Sequence, residues 1–291
     1  MALEKKKIKS RSQWGEIWRR LCSNKGAMAG MVIVILMVGV ACSVDLIYDY
    51  NTEVIAMNIP EKLQWPSADH WFGTDSVGRD IFTRVVYGSR YSLWIGFAAT
   101  IVGTIIGMFL GSVSGYFGGN IDIVIMRGCD ILGAIPGLLM GMVIVSVLGA
   151  NTTNLIIALG ITGAPAIART TRAAVLTVCN SEYVESARSI GMPEWKIILK
   201  YILPNCMSPI IVAVTLRVGS AIIGASTLSF LGLGVQEPAP EWGAMLSDGR
   251  NYIRGYSYIT LFPGLAIMLT VLALNMFGDG LRDAMDPKLR R

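Results

Sequence analysis

Long stretches without charge constrain this chain more than any other feature of its sequence. Five stretches lack Asp, Glu, Lys and Arg altogether: 26–44, 91–121, 131–168, 218–236 and 255–278. A predominantly apolar stretch of 18 or more residues is long enough to cross a bilayer as a helix. Charged residues make up only 15% of the chain, against about 25% in soluble domains. The sequence therefore predicts an all-α, polytopic membrane protein and excludes a soluble enzyme or a disordered scaffold.

The uncharged stretches divide into six predicted transmembrane helices. A polar break at 149–154 separates the third helix from the fourth, and the first is expected to remain as an uncleaved anchor. The six predicted spans are 27–44, 93–116, 131–148, 155–168, 208–231 and 259–278.

The distribution of basic residues predicts the orientation of these spans. With the N-terminus inside, cytoplasmic segments hold 18 of the 25 Lys and Arg residues and external segments hold 6. Cytoplasmic loops of membrane proteins carry such an excess of positive charge. We therefore predict that both termini are cytoplasmic. The basic residues behind the net charge of +5 are distributed as the membrane topology predicts. No nucleic-acid partner is therefore predicted.

Four sections follow from this layout. Residues 1–26 form a basic cytoplasmic head, and 27–92 contain the first transmembrane helix and an external segment. Residues 93–278 form a five-helix core with a cytoplasmic loop at 182–204, and 279–291 form a cytoplasmic tail.

The head contains a short apolar stripe. Trp14, Ile17, Trp18 and Leu21 recur at helical spacing beside basic residues, which is typical of an amphipathic helix at a membrane interface. A basic stretch without a fixed fold is the alternative.

Glycines recur every four residues in two predicted spans. One series is Gly103, Gly107, Gly111 and Gly115, and the other is Gly133, Gly137 and Gly141. Small residues at this spacing let helix backbones approach closely. The pattern predicts tight helix packing, with a partner either inside the chain or on another subunit; a pore lining is the alternative.

Several kinds of chemistry are excluded by counting. The five cysteines show no C-x-x-C spacing, His70 is the single histidine, and the dipeptide Gly-Lys of a phosphate-binding loop does not occur. We therefore predict no enzyme activity, no metal site and no cofactor in this chain. If the protein uses ATP, another chain must bind it.

The loop at 182–204 is predicted to fold into two helical segments. Gly191 is suited to end a helix, and Pro193 can start the next one. Pro204 and Pro209 are expected to interrupt the chain before the fifth span. A folded hairpin with a small residue at its bend would suit a partner protein, and an ordinary loop is the alternative.

This loop resembles the signature of the permease subunits of ATP-binding-cassette importers, which is Glu-Ala-Ala, three residues, Gly, nine residues, Ile, one residue and Leu-Pro. The positions in register are Glu185, Ala187, Gly191, Leu203 and Pro204. Ser186 and Tyr201 depart from the signature. The resemblance implies a type I ABC importer permease fold, in which the loop docks on an ATPase subunit.

Other segments resemble the peptide/nickel branch of this family, in particular its C-type permease chain. They are 70–84, 87–93, 126–130, 136–138, 228–234, 238–246 and 278–287. The branch implies a heterotetramer in the bacterial inner membrane. Its other members would be a second homologous permease and two ATPases that hold ATP and Mg, with an extracytoplasmic substrate-binding protein. Di- or oligopeptides are the expected substrate, nickel or metal chelates the alternative, and a stand-alone secondary transporter the distant alternative.

A few charged and aromatic residues outside the loop are further candidates. Arg217 lies about 13 Å into the fifth span at 1.5 Å per residue, where an unpaired charge is costly. It is predicted either to line the pathway or an interface, or to brace the bundle. Glu241 and Trp242 are predicted to contact the binding protein, unless Trp242 packs against the bundle. Arg127 and Asp130 are expected to pair on one helix.

Overall fold

A computed structural model describes residues 13–286. Most of the predicted basic head, the side chain of Trp14 and the end of the predicted tail lie outside the described residues. The α-helices of the described chain are α1 (Gln13–Ser23), α2 (Lys25–Ile47), α3 (Ile81–Phe117), α4 (Gly119–Ala134), α5 (Gly137–Leu148), α6 (Thr152–Val178), α7 (Glu182–Ser189), α8 (Glu194–Ile197), α9 (Leu203–Phe230), α10 (Trp242–Gly249) and α11 (Tyr258–Met285).

Four helices of the described chain are long and apolar enough to cross a membrane: α2, α3, the continuous helix Glu194–Phe230 and α11. The pair α4 and α5 adds a fifth span if it is counted as one. The 27-residue helix α6 is about 40 Å long at 1.5 Å per residue, but it lies outside that set. The fold is therefore the predicted all-α membrane fold, and the count of six holds only if α6 and the bent pair both cross.

The prediction that the third span is a single straight helix is wrong. Residues 131–134 belong to α4, the chain breaks at Ile135 and Pro136, and α5 then leaves at 91° to α4. Ile135 is extended, with ψ 129°, because a residue before proline is disfavoured in the helical region. With 12 residues, α5 is about 18 Å long, which is too short to cross a bilayer alone.

The start of the fifth span was also predicted wrongly. Pro204 lies in the first turn of α9 and Pro209 lies within the helix, so neither proline interrupts it. Because the helix runs without a break from Glu194 to Phe230, each proline removes one backbone hydrogen bond without ending it. The turn before α9 is a π-helix, Ile198–Ile202, which joins α8 to α9 without a break. The loop is thus rigidly continuous with the span.

The most extensive helix contact in the described chain is between α3 and α6. A Cβ atom added at Gly103 would lie 2.9 Å from the carbonyl oxygen of Gly160, and one at Gly107 would lie 2.7 Å from that of Ala164. Gly111 and Gly115 face the same helix. This glycine series therefore packs inside the chain, backbone against backbone, which resolves the question left open by the sequence.

At the end of the bundle that is predicted to face the cytoplasm, α1 packs against α11. Leu21 is buried with Ala27 and Ala284, and Ile17 packs against this cluster. Trp18 is exposed. Part of the apolar stripe of α1 therefore contacts protein, and its location at a membrane interface stays a prediction.

We predict that Gly107→Ala destabilises the protein by about 1–3 kcal/mol, because a methyl group forces the α3 and α6 backbones apart. Gly39→Ala is the matched control, since a Cβ at Gly39 in α2 meets no atom within 4 Å. Thermal unfolding of the purified protein in detergent would measure both. Equal midpoints for the two variants would contradict the close packing.

Candidate functional site

The loop at 182–204 consists of α7, a bend at Gly191 and α8. Glu182 and Glu185 lie in the first turn of α7 and Arg188 lies in its last turn, which complements the helix dipole. The N–H of Gly191 donates to the carbonyl of Arg188, and that of Met192 donates to the carbonyl of Ala187. With Gly191 at φ 76°, these bonds form a Schellman motif. The glycine predicted to end this helix does so.

One face of the loop is buried against the ends of two long helices. Val184, Ala187, Ile197 and Ile202 form a single core cluster with residues of α6 and α9. Burial of this many apolar side chains gives the loop a fixed shape. The loop and the ends of α6 and α9 therefore share one packed core.

A polar contact ties the same loop to α3. The hydroxyl of Tyr116, at the end of α3, contacts the carboxylate of Glu194, and the guanidinium of Arg188 donates to that hydroxyl at 3.1 Å. The guanidinium carbon of Arg188 also lies 5.4 Å from the centre of the Tyr116 ring, within the range of a cation–π contact. Three long helices, α3, α6 and α9, therefore contact this loop.

The outward face of the loop carries exposed apolar side chains. Ile190 is 77% exposed beside the bend, and Trp195 and Leu199 are exposed further along. Exposed apolar clusters on a folded surface commonly mark interaction sites. Sequence reasoning missed these three residues. Their signal was available, because they are the large apolar residues of the loop that the buried stripe leaves out.

The five residues predicted from the signature differ in their position and burial in this loop. Ala187 is buried and Leu203 packs against the same cluster. Glu185 is exposed on α7, Pro204 is exposed in the first turn of α9, and Gly191 forms the bend. They lie in one folded element but do not form one surface.

Arg217 is held against α6. Its guanidinium donates to the carbonyl of Leu159 at 3.4 Å, and a Cβ added at Gly163 would lie 2.5 Å from its Nη2 atom. The side chain therefore lies over a glycine notch in the neighbouring helix. This contact is the bracing arrangement predicted from the sequence, and a role in the pathway stays a prediction.

The structure buries Glu241 and Trp242, with exposures of 0% and 1%. The Glu241 carboxylate accepts from the hydroxyls of Ser92 and Ser226 and from the N–H of Ala244, at 2.9–3.3 Å. The Trp242 ring nitrogen donates to a backbone carbonyl of α3 at 2.9 Å. The predicted contact with a binding protein is therefore wrong for these side chains in this chain's structure. They join α10 to α3 and α9, and packing of Trp242 was the correct alternative.

A cluster of charges anchors the external segment predicted between the first two spans. Arg79 donates to the Asp75 carboxylate at 2.5 Å, and both residues are buried. Arg84 donates to the carbonyl of Val54 at 3.1 Å and to that of Pro238 at 3.4 Å. Two segments far apart in the sequence are thereby fixed to the start of α3.

Asp248 faces this cluster from α10, with its carboxylate 3.7 Å from the Arg79 guanidinium. Burial and the neighbouring carboxylate of Glu237 raise the pKa of Asp248 to about 7, although Arg79 and Arg84 act in the opposite direction. Burial penalises the charged form of the carboxyl group. Asp248 is thus a group whose charge changes near neutral pH.

Two further ion pairs join α4 to α6. Arg172 binds the Asp122 carboxylate through two nitrogens at 2.5 and 2.6 Å, and Arg169 donates to Asp130 at 3.2 Å. The predicted pairing of Arg127 with Asp130 is therefore wrong. The partner comes from the neighbouring helix, which a spacing rule within one helix does not consider.

Metal ligands are not gathered anywhere in residues 13–286. No group of three or more His, Cys, Asp or Glu side chains there could hold a metal ion. The cysteines of that part of the chain are free.

The apolar helices define a multi-pass membrane protein, and the loop at 182–204 is folded against the ends of its long helices. The family described as binding-protein-dependent transport system inner membrane component matches residues 81–291. The N-terminal transmembrane domain of oligopeptide transport permease C matches residues 12–66. The chain belongs to this family of ABC importer permeases, in its peptide/nickel branch. The family is a membrane transport component and not a catalytic enzyme.

Relatives agree with this assignment over almost the whole chain. The dipeptide transport system permease protein DppC of Alkalihalophilus pseudofirmus is 45% identical over 96% of this chain and 91% of that protein. The glutathione transport system permease protein GsiD of Pectobacterium atrosepticum is 43% identical over 96% and 93%.

Solved structures establish the fold. An inward-facing structure of the MetNI methionine ABC transporter superposes with a TM-score of 0.57 at 18% identity, covering 70% of this chain and 96% of that one. An amino acid ABC transporter crystallised with histidines gives 0.54 at 17% identity, covering 69% and 94%. The chain has the type I ABC importer permease fold that its sequence predicted.

We predict that the raised pKa of Asp248 makes the folded protein less stable as pH rises. Between about pH 4 and pH 7 the folded state keeps a proton that the unfolded chain has released, so stability is lost as pH rises through the folded pKa. Thermal midpoints at pH 5 and pH 8 should therefore differ more in the wild type than in Asp248→Asn. The same pH dependence in both proteins would show that this carboxyl group does not control it.

Proposed function

We propose that this chain forms half of the translocation pathway of an ATP-driven importer for peptide-type solutes. The observation that carries the proposal is the loop at 182–204, which is folded, braced against three long helices and apolar on its outward face. A second homologous permease would supply the other half of the pathway, and a substrate-binding protein would deliver the solute. The chain would lie in a bacterial inner membrane with both termini in the cytoplasm.

Two ATPase subunits would bind ATP and Mg and dock on the loops of the two permeases. On this chain, Ile190, Trp195 and Leu199 would contact the ATPase, with Glu185 on the exposed side of α7. Gly191 keeps the bend free of a side chain beside them. Ala187, Leu203 and Pro204 would fix the loop to α9.

Motion of an ATPase would reach the membrane through the loop. Because the loop shares a core with α6 and α9 and contacts α3 through Tyr116, its displacement moves these helices together. Nucleotide binding would favour one of two helix arrangements, and hydrolysis would return the other. The chain itself performs mechanical work, without covalent chemistry.

A peptide-type substrate is supported by the relatives, since one is named a dipeptide permease and the other a glutathione permease. The two solutes share amide bonds and charged termini. We propose that Arg217 acts on this pathway or at the interface with the second permease, from its position against Gly163.

The docking surface is tested by Ile190→Glu. The side chain is exposed in this chain, so folding should be unaffected, whereas burying a carboxylate against an ATPase is costly. We expect at least about a tenfold loss of ATPase subunit recovered with the purified permease, and a matching loss of labelled dipeptide uptake.

Leu46→Glu is the matched control. Leu46 is 89% exposed near the C-terminal end of α2, on the predicted external side, so this variant should keep ATPase recovery. Normal recovery and normal uptake for Ile190→Glu would show that this surface does not couple. Normal recovery of the ATPase without dipeptide uptake in the wild type would instead reject only the substrate.

The role of Arg217 is tested by Gly163→Ala beside Arg217→Leu. The added methyl group occupies the space of the guanidinium, since its distance to Nη2 would be 2.5 Å. Both variants should lower uptake several-fold, and Gly219→Ala, which adds a methyl group with ordinary contacts on α9, should not. Full uptake and assembly in Arg217→Leu would reject both the pathway role and the bracing role.

A further inference from the structure

A large cleft opens between α2 and α3, and no residue of the loop at 182–204 lines it. Its volume is about 890 Å³. Its walls are formed by one face of each helix and by Tyr50, the first residue of the π-helical turn Tyr50–Val54 that comes after α2. The lining residues are Val38, Ala41, Cys42, Asp45, Tyr50, Tyr87, Arg90, Tyr91, Leu93, Trp94 and Phe97. We call this space the α2–α3 cleft.

The cleft has a polar end and an apolar end. Asp45, Tyr87 and Arg90 lie near the end of α2 and the start of α3, beside the external segment. Val38 lies seven residues before Asp45 on α2, and Phe97 lies seven residues after Arg90 on α3. Each separation is about 10 Å at 1.5 Å per residue. An amphiphile at the membrane surface has the same gradient, from a polar head to an apolar chain.

Opposite charges stand side by side at the polar end. The guanidinium of Arg90 contacts the carboxylate of Asp45, and the Tyr87 hydroxyl donates to the same carboxylate at 2.6 Å. Both charged side chains are nevertheless about half exposed. Arginine has five N–H donors and a carboxylate accepts about four hydrogen bonds, so both groups retain bonding capacity for a ligand.

Three tyrosines, Tyr50, Tyr87 and Tyr91, line the cleft together with this ion pair. The ring centres of Tyr50 and Tyr87 are 5.4 Å apart, and those of Tyr87 and Tyr91 are 6.2 Å apart. Aromatic faces attract ammonium groups, and tyrosines commonly lie at the level of lipid headgroups. The polar end therefore offers a guanidinium for an anion, and a carboxylate with aromatic rings for a cation.

We propose that the α2–α3 cleft binds a zwitterionic aminophospholipid, such as phosphatidylethanolamine. The phosphate binds Arg90, and the ammonium binds Asp45 among the tyrosine rings. One acyl chain lies along Leu93, Trp94 and Phe97. Because the two protein charges cancel, a lipid with one charge of each sign fits the polar end better than an anionic lipid, which would face Asp45 without a compensating cation.

A segment of the companion permease is the other possible occupant. An apolar helix would cover Trp94 and the apolar end but would leave the spare hydrogen-bonding groups of Asp45 and Arg90 covered without a partner, which is unfavourable. Charge complementarity therefore favours the lipid.

The experiment uses the whole transporter in nanodiscs that contain equal parts of phosphatidylethanolamine and phosphatidylglycerol. A phosphatidylethanolamine with a photoactivatable headgroup is crosslinked, and labelled peptides are mapped by mass spectrometry. We expect labels at 42–50 and 87–94 in the wild type. Labels confined to other parts of the transporter, together with thiol crosslinking of Cys42 to the companion permease, would overturn the proposal and assign the cleft to a subunit interface.

Lipid retained after extraction into detergent measures selectivity. Asp45→Asn leaves Arg90 without its partner, so the ratio of retained phosphatidylethanolamine to phosphatidylglycerol should fall at least about fivefold. Arg90→Met should lose the first lipid without gaining the second. Arg254→Met, which removes an exposed arginine outside the cleft, is the control and should keep the wild-type ratio. An unchanged ratio in Asp45→Asn, with that variant assembled, would contradict the charge match.

Discussion

The contact between α3 and α6 is the constraint on which the rest of this structure depends. In a membrane, helices gain little from burying apolar surface against each other, so close packing of small residues drives their association. Gly103 and Gly107 bring α3 within backbone contact of Gly160 and Ala164. The helices α2, α4, α5, α9, α10 and α11 each contact α3, α6 or both. The shared core of α3, α6 and α9 extends from it, and the ends of the same helices support both the loop and the external segments.

Polar groups at the two ends of this core work differently. On the side of the external segment, Arg84 and Glu241 are buried and each is satisfied by several hydrogen bonds. Because breaking such a buried network is costly, it fixes α10 and the external segment to α3. At the loop end, Tyr116 and Arg188 lie in exposed contacts, which contribute little energy. The external end is thus fixed to α3 by buried hydrogen bonds, whereas the loop is fixed to α6 and α9 by a buried apolar core and to α3 only by exposed contacts.

Much of this arrangement follows from the sequence, and the exceptions have physical causes. Uncharged stretches predict the helices, and the glycine spacing in α3 predicts its close packing, because both are local patterns. The second glycine series spans the bend between α4 and α5 and does not pack backbone against backbone. The bend at Pro136 was missed because the spans were predicted from the absence of charge, which a single proline does not change. Glu241 and Trp242 were assigned to a surface because they lie in a segment between two predicted spans, whereas their partners, such as Ser92 and Val85, come from another helix. Contacts of this kind depend on the three-dimensional arrangement, which no spacing rule within one segment contains.

The same reasoning explains why Arg217 can be both a brace and a functional residue. Its guanidinium lies over Gly163 in α6, the helix that packs against α3. Proline at 165 lies two residues further along α6, and it removes one hydrogen bond from that helix. The arginine therefore contacts α6 where the helix is weakest in backbone bonding. A displacement of α9 delivered by the loop would change this contact directly, because Arg217 and the loop belong to one continuous helix from Glu194 to Phe230.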